Sequence, residues 1–263
     1  MLEAQNRDPW AAEDQRLNAK LAELKAKHGA PPNIVYILWD DTTFGAVGFP
    51  ALQKNFGFTT PNLNQLARDG VNFTRMYTEP SCTPTRVAFL TGRHPVRSGM
   101  GEVGMPHEMA GLRGDEVTIA EVLSEAGYAT AHFGKGHLGD IEESYPYNQG
   151  FDEALFTPMN QIVSQWNRTG DAVGAARGFY PDNYPEDPYR LDNPGLLPTG
   201  LVMAIEGRKG AQGKEWETPS VEAYEQMDPE CEKRTLEFIR KNARNGKPFF
   251  VEYWPNLLTL IKA

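Results

Sequence analysis

The sequence has few cysteines, a shortage of positive charge and no long hydrophobic run, and each absence excludes a class of protein. Its two cysteines in 263 residues, Cys82 and Cys231, are too few for a disulfide framework and do not form a closely spaced metal-binding pair. The 26 lysines and arginines are outnumbered by 35 aspartates and glutamates, which gives a net charge of −9. This balance argues against nucleic acid or an anionic membrane as the main partner. No stretch reaches the roughly 18 consecutive apolar residues of a membrane span.

The amino-terminal sequence also lacks a feature, namely the apolar stretch of a secretory signal. The residues MLEAQNRDPWAAEDQRLNAK are polar and acidic instead. We therefore expect a cytoplasmic protein. What the chain does have is an ordinary globular composition, 40% hydrophobic and 23% charged.

Strand patterns alternate with helical patterns along the chain. Strands are predicted at 34–39, 71–77, 128–133 and 249–254. Helices are predicted at 11–28, from Thr60-Pro61, from the capping-box pair Thr118 and Glu121, and from Asp228-Pro229. The continuous apolar run at 34–39 is typical of a strand covered on both faces. The alternation predicts an α/β fold with a mostly parallel sheet.

The pattern also suggests how the chain is divided. Residues 1–30 are interpreted as an N-terminal helical extension, and residues 31–263 as one α/β domain. A loop-rich excursion is expected at about 157–220, because the stretch between Gly170 and Gly213 is rich in glycine and proline.

Three unusual clusters follow predicted strands. They are Asp40-Asp41, Cys82-Thr83-Pro84-Thr85-Arg86 and Gly134-Lys135-Gly136-His137. Ligands of open α/β sheets bind outside the carboxyl ends of the strands, so each cluster could reach the same edge of the sheet. Asp40 and Asp41 offer the hard oxygen ligands that suit Ca²⁺ or Mg²⁺, although a solvated turn is the alternative.

The other two clusters combine nucleophilic and cationic groups. Cys82 is predicted at the positive end of a short helix near Arg86, where an anion-like group is favoured, or else is a buried cysteine before a capped helix. Lys135 can supply an ammonium to an anion, and His137 can exchange a proton near neutral pH. The other histidines are assigned to the surface or to packing: His28, His94, His107 and His132.

Taken in order, the three clusters resemble those of the sulfatase family, within the alkaline-phosphatase-like superfamily. The stretch CTPTRVAFLTG at 82–92 is similar to the family's Cys-x-Pro-x-Arg pattern, and 127–139 resembles its second pattern. Asp40-Asp41 resembles its metal-binding pair. The resemblance covers roughly residues 33–150, and more weakly the chain as far as Trp254. It implies a three-layer α/β/α sandwich around a mostly parallel, mixed sheet.

The resemblance implies a sulfuric ester hydrolase of arylsulfatase type that acts on small sulfate esters. A separate formylglycine-generating enzyme would oxidise Cys82 to formylglycine, whose hydrate attacks sulfur and then eliminates sulfate. Asp40, Asp41 and the modified residue 82 would bind Ca²⁺, with Mg²⁺ as the alternative.

The resemblance also implies roles for the remaining clustered residues. Arg86 would hold the modified residue, Lys135 would bind sulfate oxygens, and His137 would assist elimination. The same superfamily leaves open a phosphonate or phosphate ester hydrolase.

The later part of the family pattern is missing from this chain. No histidine follows His137, and the one Asp-Asn pair that could match the late metal ligands is Asp192-Asn193, inside the loop-rich stretch. We therefore expect the N-terminal portion of a longer sulfatase, incomplete at its C-terminus. A catalytically incomplete fragment is accordingly a third alternative.

Overall fold

The computed structural model describes residues 2–104, 110–158, 204–217 and 221–256. Its strands are β1 (Ile34–Ile37), β2 (Ala129–Lys135), β3 (Glu153–Thr157), β4 (Ile205–Arg208), β5 (Lys214–Glu215) and β6 (Phe249–Trp254). Its helices are α1 (Leu2–His28), α2 (Pro50–Gln53), α3 (Pro61–Asp69), α4 (Cys82–Thr91), α5 (Ile119–Glu125) and α6 (Val221–Asn245). None of these helices has the length and hydropathy that crossing a membrane requires.

The six strands form one mixed sheet in the order β1-β6-β2-β3-β4-β5. The first four strands in this order are parallel, and β4 and β5 continue the sheet antiparallel. Helix α6 covers one face, where Met227 and Phe238 pack against Phe133 of β2. Helices α4 and α5 cover the other face, where Val87 and Ala120 pack in one cluster with strand residues. The predicted three-layer α/β/α sandwich is confirmed.

The two central strands are buried along nearly their whole length because helices cover both of their faces. On β6, Phe250 faces the α4 side while Val251 faces the α6 side, and both are fully buried. Burying such a side chain contributes roughly 1.5 to 3 kcal/mol. The strand predicted at 249–254 has the predicted bounds, and the one predicted at 128–133 extends to Lys135.

The capping box predicted before α5 is also present. The Thr118 hydroxyl accepts a hydrogen bond from the Glu121 amide at 3.1 Å, and the Glu121 carboxylate accepts one from the Thr118 amide at 2.8 Å. Both partners lie within one helical turn, so the local sequence is sufficient to specify this helix start.

The strand predicted at 34–39 is present as β1 but is not covered on both faces, and the strand predicted at 71–77 is absent. Both predictions depended on neighbours that the sequence pattern does not reveal. Strand β1 lies at the edge of the sheet, and Val35 and Ile37 on one of its faces are 46% and 39% exposed rather than covered. Residues 71–77 form no strand, and Val71 and Tyr77 are largely exposed. No described strand lies beside this segment to supply the hydrogen bonds of a sheet.

Two helix predictions also differ from the structure. Helix α6 begins at Val221 and contains Pro229, whereas the sequence pattern predicts a helix that starts at Asp228-Pro229. Helix α1 is present but begins at Leu2 rather than at residue 11, and its leucines Leu17, Leu21 and Leu24 are exposed.

Part of the predicted loop-rich excursion can be compared with the structure. Strands β4 and β5 lie within it, whereas residues 159–203, including Asp192-Asn193, lie outside the described residues. His107 also lies outside them.

Gly134 allows β6 to pass directly beside the end of β2. Its φ of +121° is disfavoured for residues with a side chain, and a Cβ atom there would overlap the carbonyl group of Trp254. Because Lys135 follows immediately, this close approach helps to place the functional residues that come after β2.

We expect Gly134→Ala to destabilise the protein by at least about 3 kcal/mol, because it adds a backbone clash to an unfavourable φ. Gly127→Ala is the matched control, since Gly127 has a φ of +90° with open space around it. That variant should cost only about 1 to 2 kcal/mol. Urea unfolding measures both, and equal losses would contradict the role of the close approach.

Candidate active site

The carboxyl ends of the parallel strands bring the three sequence clusters to one edge of the sheet. Asp40 follows β1, and Lys135 is the last residue of β2. Their side chains form a hydrogen-bonded ion pair, although β6 lies between the two strands. The sheet topology thus brings together two residues that are 95 positions apart in the sequence.

A cleft of about 570 Å³ opens beside this ion pair. Its walls are formed by residues 38–43 and 78–82, with Thr85, Arg86 and Val103. Four of the predicted site residues therefore share one cleft, namely Asp40, Asp41, Cys82 and Arg86. Lys135 lies behind the wall and reaches the cleft through its contact with Asp40.

Cys82 is the first residue of α4, in agreement with its predicted position at the amino end of a short helix. Its thiol is free and partly exposed, and its Sγ lies 3.8 Å from the Ser81 hydroxyl. The amino end of a helix carries partial positive charge and favours an anionic group. A nucleophile derived from residue 82 would therefore be placed at a favourable end of the helix.

Arg86 is one turn further along α4 and only 1% exposed. Its Nη1 donates to the Lys135 carbonyl at 3.2 Å, and its Nη2 lies 3.7 Å from Asp40 Oδ1. The guanidinium also lies over the Trp254 ring, 4.6 Å from the centroid, in a cation–π contact. Burial lowers the pKa of Arg86, while Asp40 acts in the opposite direction.

Asp40 is the shared partner of two buried cations. Burial tends to raise the pKa of Asp40, but Lys135 and Arg86 outweigh it and hold that pKa below its usual range. Burial lowers the pKa of Lys135, as does the charge of nearby Arg86. One carboxylate facing an ammonium and a guanidinium leaves the buried cluster with net positive charge, which favours an anionic ligand.

His137 is buried and held in a left-handed backbone conformation, with a φ of +53°. Its Nε2–H donates to the Gly104 carbonyl at 2.9 Å, which leaves Nδ1 as the acceptor nitrogen. Nδ1 has no hydrogen-bond partner in the described part of the chain. Burial, with the charge of Lys135, lowers the pKa of His137 to about 3, so the ring is neutral near pH 7.

Asp41 also has a positive φ of +47°, and its side chain is exposed at the cleft. Together with Asp40 it offers carboxylate oxygens, which are the correct donor type for Ca²⁺ or Mg²⁺. Ca²⁺ takes about six to eight oxygen ligands, however. The described residues contain no group of three or more metal-ligating side chains, so they supply only part of such a site.

The sequence analysis missed several residues that support this site. The ring of Trp254 packs against the guanidinium of Arg86, but in the sequence Trp254 looks like any other apolar residue of a strand. Gly104 links two clusters, because its carbonyl accepts from His137 and its amide donates to the Thr83 hydroxyl at 3.1 Å. No local motif marks Gly104, since its partners lie elsewhere in the sequence.

Comparison with known protein families matches the Sulfatase family model over residues 32–254. Arylsulfatase A of Bos taurus is 46% identical over 232 residues, which cover 85% of this chain and 40% of that protein. Steryl-sulfatase of Mus musculus is 41% identical over 159 residues, which cover 56% of this chain and 25% of that protein.

Among solved structures, the chain is similar to PsFucS1 sulfatase from Pseudoalteromonas sp. The TM-score is 0.73 at 28% identity, and the match covers 93% of this chain and 48% of that one. The chain thus spans 40% or less of these two curated relatives and about half of this structure.

We expect Asp40→Asn to destabilise the protein by about 3 to 5 kcal/mol, because two buried cations lose their shared counter-charge. Asp41→Asn is the matched control, since this side chain is exposed and asparagine tolerates a positive φ. It should change stability by no more than about 0.5 kcal/mol. Urea unfolding in the presence of a metal chelator measures both, and equal effects would contradict the shared-partner interpretation.

Proposed function

The chain belongs to the sulfatase family, and from this premise we propose that it is a sulfuric ester hydrolase of arylsulfatase type. The observation that carries the proposal is the position of Cys82, at the amino end of α4 in one cleft with Asp40, Asp41 and Arg86. The cationic character of the buried cluster supports a substrate with an anionic group at its reacting centre.

We propose that a separate maturation enzyme oxidises Cys82 to formylglycine. The hydrated aldehyde would supply a hydroxyl nucleophile and a second hydroxyl for the release of sulfate. Exposure of the thiol at the cleft supports access to Cys82, whereas Cys231 is buried inside α6.

The residues around position 82 supply charge stabilisation and proton transfer. Arg86 and Lys135 stabilise negative charge on the reacting group, since both are buried and fixed by Asp40. His137 offers Nδ1 as a proton acceptor for a hydroxyl of residue 82, because its Nε2–H is bound to Gly104. Burial favours the neutral ring that this role requires.

Asp40 and Asp41 are the proposed ligands for Ca²⁺, with Mg²⁺ as the alternative. A divalent cation would supply further positive charge to the sulfate group. The two carboxylates fit this ion in chemistry but not in number, so additional oxygen ligands are required. The substrate is proposed to be a small sulfate ester.

A phosphonate or phosphate ester hydrolase is the second candidate, because the buried cations Arg86 and Lys135 would stabilise phosphoryl oxygens by the same physics. Sulfate is favoured by the arylsulfatase and steryl-sulfatase relatives. Rates with an aryl sulfate and with a phenyl phosphonate ester distinguish the two candidates.

We expect coexpression with a formylglycine-generating enzyme to convert Cys82 to the aldehyde, because the thiol is partly exposed at the cleft. Mass spectrometry of the tryptic peptide 76–86 measures this conversion. The peptide that contains Cys231 is the internal control and should keep its thiol. The matured chain should then hydrolyse an aryl sulfate in the presence of Ca²⁺, and Cys82→Ala should abolish that turnover.

An unmodified Cys82 beside an active maturation enzyme would contradict the proposed nucleophile. Faster turnover of the phosphonate would favour the second candidate instead. Complete conversion without turnover of either ester would identify the chain as a catalytically incomplete fragment.

A further inference from the structure

A histidine–glutamate pair is buried in the sheet beneath Arg86. His132 of β2 and Glu252 of β6 are neighbours in the parallel register, and His132 Nδ1 lies 2.8 Å from Glu252 Oε2. Both side chains are 0% exposed. The mechanism proposed above gives neither residue a role. Burying two ionisable groups in a core costs free energy, so the pair calls for an explanation.

The surroundings of the pair connect it to the cleft. Tyr36 of β1 is the register partner of Glu252 on the other side, so three polar side chains cross neighbouring strands in one row. The ring of Trp254 meets the His132 ring edge to face at 4.9 Å and also lies beneath the Arg86 guanidinium. The charged or titratable groups that act on the pair are therefore Arg86 from α4 and Tyr36 from β1.

The burial of the pair favours its neutral form over an ion pair. Glu252 Oε1 has no hydrogen-bond partner in the described part of the chain, so an ionised carboxylate would be poorly compensated. Burial raises the pKa of Glu252 well above its ordinary value, against the opposing charge of Arg86. Burial, with the charge of Arg86, lowers the pKa of His132 to about 3. Neutral His132 then accepts at Nδ1 a hydrogen bond from the protonated Glu252 Oε2.

We propose that Glu252 is a positioning residue that stays protonated and donates a hydrogen bond to His132 Nδ1, so that the positive charge of Arg86 stays directed toward the cleft. An ionised Glu252 would neutralise Arg86 from beneath. The buried cluster of Arg86, Lys135 and Asp40 would then lose its single net positive charge. This proposal rests on the proposed function and deepens it, because it concerns how the charge of Arg86 is presented to the reacting group, but it applies to the unmatured chain as well.

The proton on Glu252 can be observed directly. We expect the infrared spectrum of the wild-type chain at neutral pH to contain the carbonyl band of a protonated carboxylic acid. This band should shift when glutamate is labelled with ¹³C and disappear in Glu252→Gln. Glu125→Gln, at an exposed position of α5, is the matched control and should keep the band. The isotope shift requires no variant: it assigns the band to a glutamate, and Glu252 is the one buried glutamate among the described residues, so the test stands even if Glu252→Gln does not fold.

The direction of the Arg86 charge can be measured through alkylation of Cys82 in the unmatured chain. The ratio of its rates with anionic iodoacetate and neutral iodoacetamide reports the potential in the cleft, since the thiolate fraction cancels. We expect Glu252→Gln to leave this ratio within about twofold of wild type, because a glutamine amide is neutral and donates to Nδ1 as the acid does.

A missing acid band, or a ratio that rises about threefold or more in Glu252→Gln, would overturn the proposal. Either result would mean that Glu252 is ionised and screens Arg86 in the wild-type chain. Neither measurement depends on formylglycine or on sulfate turnover. A failure of the proposed hydrolase activity therefore remains distinguishable from a failure of this proposal.

Discussion

The interaction on which the candidate site depends is the contact of two buried cations with one carboxylate. A guanidinium and an ammonium withdrawn from water need a nearby anion, and Asp40 serves Arg86 and Lys135 together. Arg86 belongs to α4, Lys135 ends β2, and Asp40 lies in the loop after β1. Their mutual attraction therefore fixes three chain segments at one edge of the sheet. Because one carboxylate faces two cations, the arrangement that stabilises this edge also leaves these three residues with a net positive charge.

The contact depends on a strand order in the sheet that differs from the order of the strands in the sequence. Strand β6 is the last described strand in the sequence, yet it lies between β1 and β2, and it supplies Trp254 beneath Arg86. The central position of β6 demands close approach at the strand ends, which Gly134 permits because it has no Cβ. The same strand thus supports the site from below while it separates the two segments whose side chains meet above it.

Local features could be predicted from the sequence, whereas features that arise from distant pairing could not. The capping box at Thr118 involves partners within one turn, and the strand at 249–254 is a continuous apolar run, so both predictions succeeded. The segment 71–77 has an equally good strand pattern but no described neighbour. The clusters of the site were singled out by their residue types and by their positions after predicted strands. Their detailed chemical roles come from the resemblance to a family, and these roles and the cytoplasmic location stay predictions. The pairing of His132 with Glu252 left no sequence signal, because it joins positions 120 residues apart.

Asp40 and Glu252 show how one functional group acquires opposite charge states within a single site. Both carboxyls are withdrawn from water, and in both burial raises the pKa. At Asp40 the two adjacent cations outweigh burial, so the carboxylate is ionised at neutral pH. Glu252 has a neutral imidazole as its hydrogen-bond partner and feels Arg86 only as the weaker influence, so burial prevails. The partner that the fold places beside each carboxyl therefore decides its charge. Ionised Asp40 lies at the cleft, and neutral Glu252 lies beneath it in the sheet. Because a neutral Glu252 does not offset the charge of Arg86 from beneath, the field of the guanidinium is directed toward the cleft.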